Sequence, residues 1–442
     1  MILQKLKSDV AGGAILFITA LLTFLFSPVH QFADSKYSML LGQSLLHYQS
    51  FTLDNYSIPG LPKKQKSGFI SNGDIYQLEL INGHIYYLYP PGSSILSVPY
   101  VALMNIVGIS AASQEASYNR EGEAKIDASF AALLMSGLSG VIFFTGRLLL
   151  PFWWSLLVAC GSVFGTQIWS TASRALWSDT WGIFILGLVV WMLVGVECKR
   201  YQVRPILLAT LLSWLYFVRP TYFIPIIAIT IYIFLYHRSV FIKHALTGAA
   251  WLAAFIGFSE YHYGQMLPNY YQPNKLSFDT FWLALAGNLI SPSRGLFVFV
   301  PILFFVAYLL IRYRSEIPHP RLIVMSLSIV VVHLIVVSGF TPWHGGHCYG
   351  PRYSTGIVPL FSLLGILSVK SRLERHNKAV DDSLSLWRTE WTFAAILLLC
   401  SVSLNALGAT AWRTALWNTR PVNVDDAPER VWDWKYPQFL AK

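Results

Sequence analysis

The sequence has 442 residues, of which 55% are hydrophobic and only 12% are charged, and its mean hydropathy is +0.50. A soluble protein of this length keeps a polar exterior, so this composition excludes a soluble globular protein. The net charge of +10 does not indicate nucleic-acid binding, because the basic residues cluster in short loops between apolar segments, as membrane orientation requires.

Apolar segments recur along the chain, many of them long enough to cross a hydrocarbon core of about 30 Å. Hydropathy predicts eleven transmembrane helices, at 10–27, 126–146, 154–172, 180–197, 205–218, 221–236, 244–262, 295–311, 322–340, 355–369 and 391–409. Basic residues precede the first segment and no small-residue cleavage pattern follows it, which predicts a retained signal-anchor. We therefore predict an all-α polytopic membrane protein.

Segment 92–109 is apolar but short, and Pro99 interrupts it. If it does not cross the membrane, the basic clusters of the later loops share the cytoplasmic side with Lys5 and Lys7. We therefore predict an interfacial or re-entrant helix here, with the N-terminus in the cytoplasm. The chain then divides into a first transmembrane helix (1–27), an extracytoplasmic loop (28–125), a transmembrane bundle (126–409) and an extracytoplasmic tail (410–442).

The large outer loop contains its own structural signals. From Tyr37 to Tyr48, apolar residues repeat at helical spacing, which predicts an amphipathic helix on the membrane surface. Residues 75–89 alternate in polarity around Asn82-Gly83, a strong signal for a β-hairpin turn. The segment Tyr89-Pro90-Pro91-Gly92 then ends the second strand.

In this topology, thirteen ionisable residues fall at the outer ends of helices. They are Asp34, Lys36, Asp54, His84, Arg174, Asp179, Arg219, Glu260, His262, Arg294, His344, His347 and Arg352. A charge inside hydrocarbon costs at least a few kcal/mol, so such residues usually face a shared, hydrated cavity. Snorkelling of single arginines to the headgroups is the alternative explanation.

Asp34 follows the first predicted helix and is our candidate general base for an acceptor hydroxyl. Its alternative role is to cap the helix that begins near Tyr37. Lys36 is a candidate for binding a phosphate, although an ordinary interfacial lysine would look the same.

Two glycine- and proline-rich motifs supply further cations. Arg294 lies in 291–295 and Arg352 in 341–353, each directly before an apolar segment, and an arginine can bind a phosphate bidentately. His344, His347 and Cys348 suggest zinc, but no fourth ligand has suitable spacing, so sugar binding or loop packing is the favoured interpretation.

A transferase at the outer face of a membrane needs a donor that the lipid carries, typically a sugar on a polyprenyl phosphate. Asp34 would act as the base, and Lys36, Arg294 and Arg352 would bind the leaving phosphate. The candidate substrate-binding residues are His84, Tyr89, Arg174, Asp179, Glu260, Trp343, His344, His347 and Tyr349. Arg174 and Asp179 are equally explained as an ion pair with each other. The competing hypothesis is a flippase for lipid-linked glycans or another multispanning transporter.

The acidic motif after the first helix, the turn at 89–92 and the segments 291–297 and 345–353 together resemble the type C glycosyltransferase superfamily. That superfamily includes the dolichyl-phosphate-mannose protein mannosyltransferases and the aminoarabinose transferases of lipid A. The resemblance implies a polyprenyl-phosphate sugar donor, inversion at the anomeric carbon and Asp34 as the catalytic acidic residue. It also implies a bacterial plasma membrane location, with the active site facing outside and an acceptor that is a glycan, a lipid or a protein.

The sequence departs from this family at one point. Many relatives have two adjacent acidic residues or Asp-x-Asp after the first helix, whereas this chain has Asp34-Ser35-Lys36. The departure favours a metal-independent reaction without a cofactor, in which Lys36 replaces a divalent cation. A metal held with the help of Asp54 or Glu79 stays open as the alternative.

Overall fold

The computed structural model describes residues 2–61, 68–69, 75–273, 276–378 and 384–442, and helices dominate it. The helices are α1 Ile2–Phe26, α2 Ser38–Tyr48, α3 Gly92–Ile106, α4 Arg120–Arg147, α5 Phe152–Phe164, α6 Ser178–Glu197, α7 Pro205–Val218, α8 Phe223–Tyr236, α9 Arg238–Tyr263, α10 Phe281–Ile290, α11 Leu296–Phe299, α12 Ile302–Arg312, α13 Pro320–Ser338, α14 Val358–Lys378, α15 Leu384–Thr410 and α16 Trp412–Leu416. The strands are β1 Gly68–Phe69, β2 Leu78–Ile81 and β3 His84–Tyr87.

A helix lies at each of the eleven predicted positions, which confirms the polytopic helical class. Within the described ranges, seven helical segments are long and apolar enough to cross a membrane: Lys7–Phe26, Arg120–Arg147, Ser178–Glu197, Arg238–Tyr263, Pro320–Ser338, Arg352–Lys378 and Leu384–Thr410. The helices at the other four positions are shorter. α5 has 13 residues and ends at Gly165, and α12 has 11 residues and begins after Pro301, so the helix is interrupted at these two positions. The predicted number of eleven crossings is therefore not confirmed.

The long helix α4 fixes the two ends of the bundle. At its end, Arg147 Nε donates to Asp9 Oδ1 of α1 over 2.7 Å. At its start, Glu123 binds the backbone of Tyr37, which follows α1 in the chain. α1 and α4 are therefore antiparallel. The bundle end that holds Asp34 is called the Asp34 end below.

The three strands form one antiparallel sheet in the order β1-β2-β3. β2 and β3 pair with Ile81 opposite His84, so the predicted hairpin is confirmed. Asn82 and Gly83 connect them with φ angles of 52° and 84°. A type I′ turn needs positive φ at both central residues, which is why this sequence pair forms the turn.

The loop helices α2 and α3 pack into the protein. Ser38 to Ser44 of α2 are all buried, so α2 packs against the rest of the protein, and its predicted location at the membrane surface stays a prediction. α3 contains Pro99 and has 15 residues, too few to cross a hydrocarbon core at 1.5 Å per residue. At its start, a Cβ on Gly92 would lie 2.4 Å from Phe217 O, so only glycine allows this contact with α7.

Candidate active site

Asp34 lies in the short turn between α1 and α2, and it does not cap α2. The carboxylate of Glu123 takes that role: it accepts the N–H groups of Tyr37 at 3.0 Å, Met39 at 2.8 Å and Leu40 at 3.1 Å. These are among the N–H groups that a helix leaves unpaired at its start. Because Glu123 satisfies them, the Asp34 carboxylate is free for another function.

The Asp34 carboxylate has partners from distant parts of the sequence. Oδ2 forms an ion pair with Arg352, and Oδ1 accepts a hydrogen bond of 3.0 Å from the Tyr76 hydroxyl. The Tyr87 hydroxyl donates to the backbone oxygen of Asp34 over 2.6 Å. The side chain of Asp34 is 22% exposed and that of Arg352 is 13% exposed, so the pair is largely screened from solvent but still reachable.

Two opposing effects determine the pKa of Asp34. Burial alone would raise it, but the charge of Arg352 and hydrogen bonds from Arg352, Tyr89 and Tyr76 together lower the pKa below its usual value. The carboxyl is therefore ionised at neutral pH, as a general base must be.

Arg352 lies at the start of a 3₁₀ turn that leads into α14. Its guanidinium carbon is 3.8 Å from the ring centroid of Trp177, which is a cation–π contact. Nη1 lies 3.5 Å from Gly345 O. The Nε–H is buried and has no acceptor among the described residues. This donor is closed off from solvent, whereas the Arg352 side chain as a whole is 13% exposed.

A second buried ion pair adjoins the first. Asp179, at the start of α6, pairs with Arg219, which follows α7, and their side chains are only 5% and 7% exposed. Asp179 lies within electrostatic range of both Arg352 and Asp34. Asp179 was a predicted substrate-binding residue, whereas Arg219 was predicted only to lie at the outer end of a helix. Two carboxylates and two guanidinium groups therefore meet at the Asp34 end.

Tyrosine side chains surround these charges. The ring of Tyr89 lies 5.0 Å from that of Tyr270 and 5.6 Å from that of Tyr87, between centroids. Burial and the charge of Asp34 raise the pKa of Tyr89 well above its usual value. Its phenol therefore stays protonated, and its single O–H donates to the Asp34 carboxylate, so its oxygen can accept a hydrogen bond from a substrate hydroxyl.

Asp34 also borders a small enclosed cavity of about 10 Å³, which Ser38, Tyr87 and Ser93 help to line. This volume holds about one water molecule. A sugar cannot enter it, so a substrate must approach Asp34 from its exposed side.

Arg294 is bound inside the protein. It is 1% exposed, and its five N–H groups donate to His344 O (2.8 Å), Ser293 O (2.8 Å), Gln438 Oε1 (2.6 Å), Gly346 O (3.1 Å) and Asn418 Oδ1 (3.0 Å). A guanidinium has five such donors, so none is left for a phosphate. The geometry favours a structural role that joins the two glycine-rich motifs to the C-terminal tail, rather than the predicted phosphate-binding role.

Arg174 and Lys36 also differ from their predicted surroundings. Arg174 is fully buried and donates to Ser27 O at 2.8 Å and Phe24 O at 2.6 Å, so it caps the end of α1 and does not pair with Asp179. Lys36 Nζ lies 4.7 Å from the ring centroid of Tyr37. Arg352 forms an ion pair with Asp34.

Trp343 and Tyr349 were also predicted to bind the substrate. Trp343 packs in a small cluster with Trp417, Val424 and Val431, and the Tyr349 hydroxyl donates to Leu404 O over 2.7 Å. Both are packing residues in this structure.

The histidines have partners of their own. His84 Nδ1 lies 2.6 Å from Asp54 Oδ2 in the hairpin region, and His347 Nε2 lies 2.8 Å from Asn423 Oδ1 of the tail. Burial, assisted by the charge of Arg294, lowers the pKa of His344 to about 4. Glu260 is exposed near the end of α9. Within the described part of the chain, no group of three or more His, Cys, Asp or Glu could hold a metal ion.

Sequence reasoning did not identify Tyr76, Trp177, Arg219 and Glu123 as site residues. A signal for Glu123 existed, since Glu123 and Asp127 are four residues apart and share one face of α4. Asp127 is buried beside Glu123, and its Oδ2 accepts the Leu176 N–H at 3.0 Å. Both carboxylates position the backbone around Asp34 and Trp177.

The comparisons with known proteins agree with the fold. No protein-family model matches the sequence. No curated protein matches it either. Among solved structures, the chain is similar to the oligosaccharyltransferase of Archaeoglobus fulgidus, crystallised with a tethered acceptor peptide containing the NVT sequon.

This similarity has a TM-score of 0.53 at 12% sequence identity, and it covers 97% of this chain and 60% of the oligosaccharyltransferase chain. The chain thus spans about three fifths of the length of that protein. At this identity the likeness shows a shared fold, and the predicted membership of the type C superfamily stays a prediction.

Proposed function

We propose that this chain is a membrane glycosyltransferase that moves a sugar from a polyprenyl-phosphate donor to an acceptor hydroxyl or amine. The observation that carries the proposal is the ionised Asp34 carboxylate in an ion pair with Arg352, with both side chains still partly exposed. The fold shared with an oligosaccharyltransferase supports the same class of reaction.

In this mechanism the acceptor oxygen or nitrogen attacks the anomeric carbon from the face opposite the phosphate. A bond forms between the acceptor and that carbon, and the bond between the carbon and the phosphate oxygen breaks. Asp34 takes the acceptor proton, and the polyprenyl phosphate leaves with the electron pair. Arg352 stabilises the charge that develops on the departing phosphate, which is commonly the largest catalytic effect.

Donor binding also changes the pKa of Asp34. In the free protein, Arg352 contributes to holding the pKa of Asp34 low, and such a carboxylate is a weak base. A phosphate bound to Arg352 offsets the positive charge that Asp34 experiences. The pKa of Asp34 then rises towards the operating pH when the donor is bound, which makes it a better base at that moment.

The proposal includes a location at the extracytoplasmic face of a bacterial plasma membrane. Its support is the distribution of basic residues, because the helix ends and loops at the opposite end of the bundle include Arg200, Arg238 and Arg312. The acceptor is a glycan, a lipid or a protein.

The test uses Asp34→Asn, which keeps the size of the side chain and removes the base. We expect sugar transfer from a panel of polyprenyl-phosphate sugars, followed by mass spectrometry of acceptors, to fall by roughly 10²–10⁴-fold. Asp279→Asn is the matched control, because this exposed carboxylate contacts Ser277 and lies outside the site. Full transfer by a folded Asp34→Asn variant would remove Asp34 from the mechanism.

A further inference from the structure

A cysteine, a histidine and a glutamate meet at the end of the bundle opposite Asp34. Glu197 is the last residue of α6 and Cys198 follows it, whereas His319 directly precedes α13. Cys198 Sγ lies 3.8 Å from His319 Nε2, and Glu197 Oε2 lies 3.5 Å from His319 Nδ1. The imidazole therefore bridges the thiol and the carboxylate through its two nitrogens. These three residues are called the Cys198 cluster below.

The Cys198 cluster does not belong to the candidate active site. Asp179, which adjoins that site, is in the first turn of α6, and Glu197 is 18 residues further along the same helix. At about 1.5 Å per residue, the two positions are roughly 27 Å apart. The proposed glycosyl transfer therefore gives the Cys198 cluster no role.

The Glu197 carboxylate is held in place from its other side. The Tyr232 hydroxyl of α8, which is buried, donates a hydrogen bond to Glu197 Oε1. Oε2 then faces His319 Nδ1. A carboxylate beside Nδ1 favours the tautomer with the proton on that nitrogen, so the lone pair of Nε2 faces the thiol. The carboxylate also stabilises the imidazolium that forms when Nε2 takes a proton.

The backbone around the cluster has an unusual conformation. His319 lies between Pro318 and Pro320 with a φ of 52°, and Lys199, directly after Cys198, has a φ of 54°. Residues with a side chain seldom adopt this left-handed conformation, which persists only where the surrounding structure maintains it. The His319 side chain does not cap α13, so its imidazole is available to Cys198.

The cluster is open to a reactant and needs a base to use it. The His319 side chain is 25% exposed, and Cys198 is partly exposed. Burial raises the pKa of the Cys198 thiol, while the positive charges of Arg200 and Lys370 act to lower it. The resting group is therefore a protonated thiol. Because the thiolate is the nucleophile, reaction requires a neighbouring base, and His319 Nε2 is in position to be that base.

The position of Cys198 and the charges around it indicate the reactant. All four cysteines of the chain are free, and Cys198 contacts His319 rather than a second thiol, so its chemistry uses a single thiol. Cys198 directly follows the apolar segment Ser178–Glu197, which is long enough to cross a membrane. Cysteines beside a membrane-spanning segment are typical sites of S-acylation, because the attached chain can enter the bilayer. Arg200 and Lys370 match an acyl carrier that is anionic.

We infer that Cys198 accepts an acyl group from an anionic acyl thioester, with His319 as the base and Glu197 as a positioning residue. Cys198 Sγ attacks the carbonyl carbon while His319 Nε2 takes the thiol proton. A bond forms between Sγ and that carbon, and the bond between the carbon and the carrier sulfur breaks. His319 returns the proton to the carrier, which leaves as a thiol. The inference is independent of the proposed glycosyl transfer.

The first test measures alkylation of the full chain by iodoacetamide, with peptide mapping of each cysteine. We expect Cys198 to react faster than the more exposed thiol introduced by Ser385→Cys, which lies in the first turn of α15 at the same end of the bundle. His319→Asn is the matched variant, because asparagine tolerates the left-handed backbone and lacks the base. We expect it to slow alkylation of Cys198 at least about tenfold and to leave that of Ser385→Cys unchanged.

Glu197→Gln keeps an acceptor for Tyr232 and removes the negative charge beside His319. We expect slower alkylation of Cys198 with little change in thermal unfolding, which keeps the inference testable if His319→Asn fails to fold. An unchanged alkylation rate of Cys198 in folded His319→Asn would overturn the role of His319, and an unchanged rate in folded Glu197→Gln would overturn the role of Glu197.

The second test identifies the reactant. The full chain in detergent is incubated with alkyne-tagged palmitoyl-coenzyme A, and tagged peptides are mapped before and after hydroxylamine, which cleaves thioesters. We expect a hydroxylamine-sensitive adduct on Cys198 that is lost in Cys198→Ser and reduced in His319→Asn. Rapid alkylation without this adduct would overturn the assignment of an acyl thioester. Equal acylation of Cys198 and of the thiol introduced by Ser385→Cys would overturn the assignment of a specific site.

Discussion

Replacing Arg352 with lysine keeps a positive charge beside Asp34 but removes the planar guanidinium. Lysine loses the stacking on Trp177, worth about 0.5–2 kcal/mol in a partly buried site. It also loses the bidentate contact that a guanidinium makes with a phosphate, and a hydrogen bond to a charged group contributes about 1.5–3 kcal/mol. A combined loss of about 2–5 kcal/mol lowers kcat/KM for the donor roughly 30- to 4,000-fold, since each 1.4 kcal/mol is a factor of ten.

Arg294→Lys is the matched comparison, because the sequence alone does not distinguish the two arginines. Lysine has three donors, so at least two of the five acceptors around Arg294 lose their partner. Each buried acceptor left unpaired costs about 1–3 kcal/mol. We expect a large fall in the melting temperature, with kcat/KM of the folded fraction close to that of the wild type.

The assay measures initial transfer rates against donor concentration in one detergent, together with thermal unfolding of each variant. The expected result is a loss of activity without a large loss of stability for Arg352→Lys, and the reverse for Arg294→Lys. If folded Arg294→Lys loses as much kcat/KM as Arg352→Lys, the structural role assigned to Arg294 is wrong and it binds the donor after all.

Three further predictions concern Asp34 and the backbone around it. Because the pKa of Asp34 lies below its usual 3.8, its ion pair stabilises the fold at neutral pH, and this contribution is lost as pH falls through the lowered pKa. The pH dependence of kcat/KM reports the free enzyme, so its acidic limb is expected below pH 3.8. The pH dependence of kcat reports the donor complex, so its acidic limb is expected at a higher pH. Acidic limbs at the same pH would contradict the proposed effect of donor binding on the pKa of Asp34. Glu123→Ala removes the cap of α2 and should cost about 2–4 kcal/mol of stability in thermal unfolding, whereas a loss under about 0.5 kcal/mol would contradict the capping role. Gly92→Ala brings a methyl group against Phe217 O and should cost about 1–3 kcal/mol, while the control Gly140→Ala, with no atom within 4 Å of the Cβ, should not destabilise the protein.

The sequence alone predicts that Asp34 and Arg352 lie at the same end of the bundle. Hydropathy and the distribution of basic residues assign both to the same side of the membrane, although 318 positions separate them. The hairpin was equally predictable, since Asn82-Gly83 is a local signal for a type I′ turn.

The role of Arg294 could not be predicted in this way. Both arginines follow glycine- and proline-rich segments and precede helices. The side chains of the tail residues Gln438 and Asn418 accept hydrogen bonds from the Arg294 guanidinium. Those contacts join positions more than 120 residues apart, and no local pattern reveals them. The number of membrane crossings could not be predicted from hydropathy either. The helices are interrupted at Gly165 and Pro301, but the sequence on both sides of these residues stays apolar.

The length of α4 has a consequence for how a lipid-borne substrate meets Asp34. Its 28 residues extend about 42 Å, some 12 Å more than the hydrocarbon thickness of a typical bilayer. If α4 spans the bilayer, part of this excess extends its first turn towards the lipid headgroups, and Glu123 in that turn holds the backbone next to Asp34. Under the proposed function, a polyprenyl phosphate keeps its anionic group near that depth, so transfer would not require pulling the carrier out of the membrane.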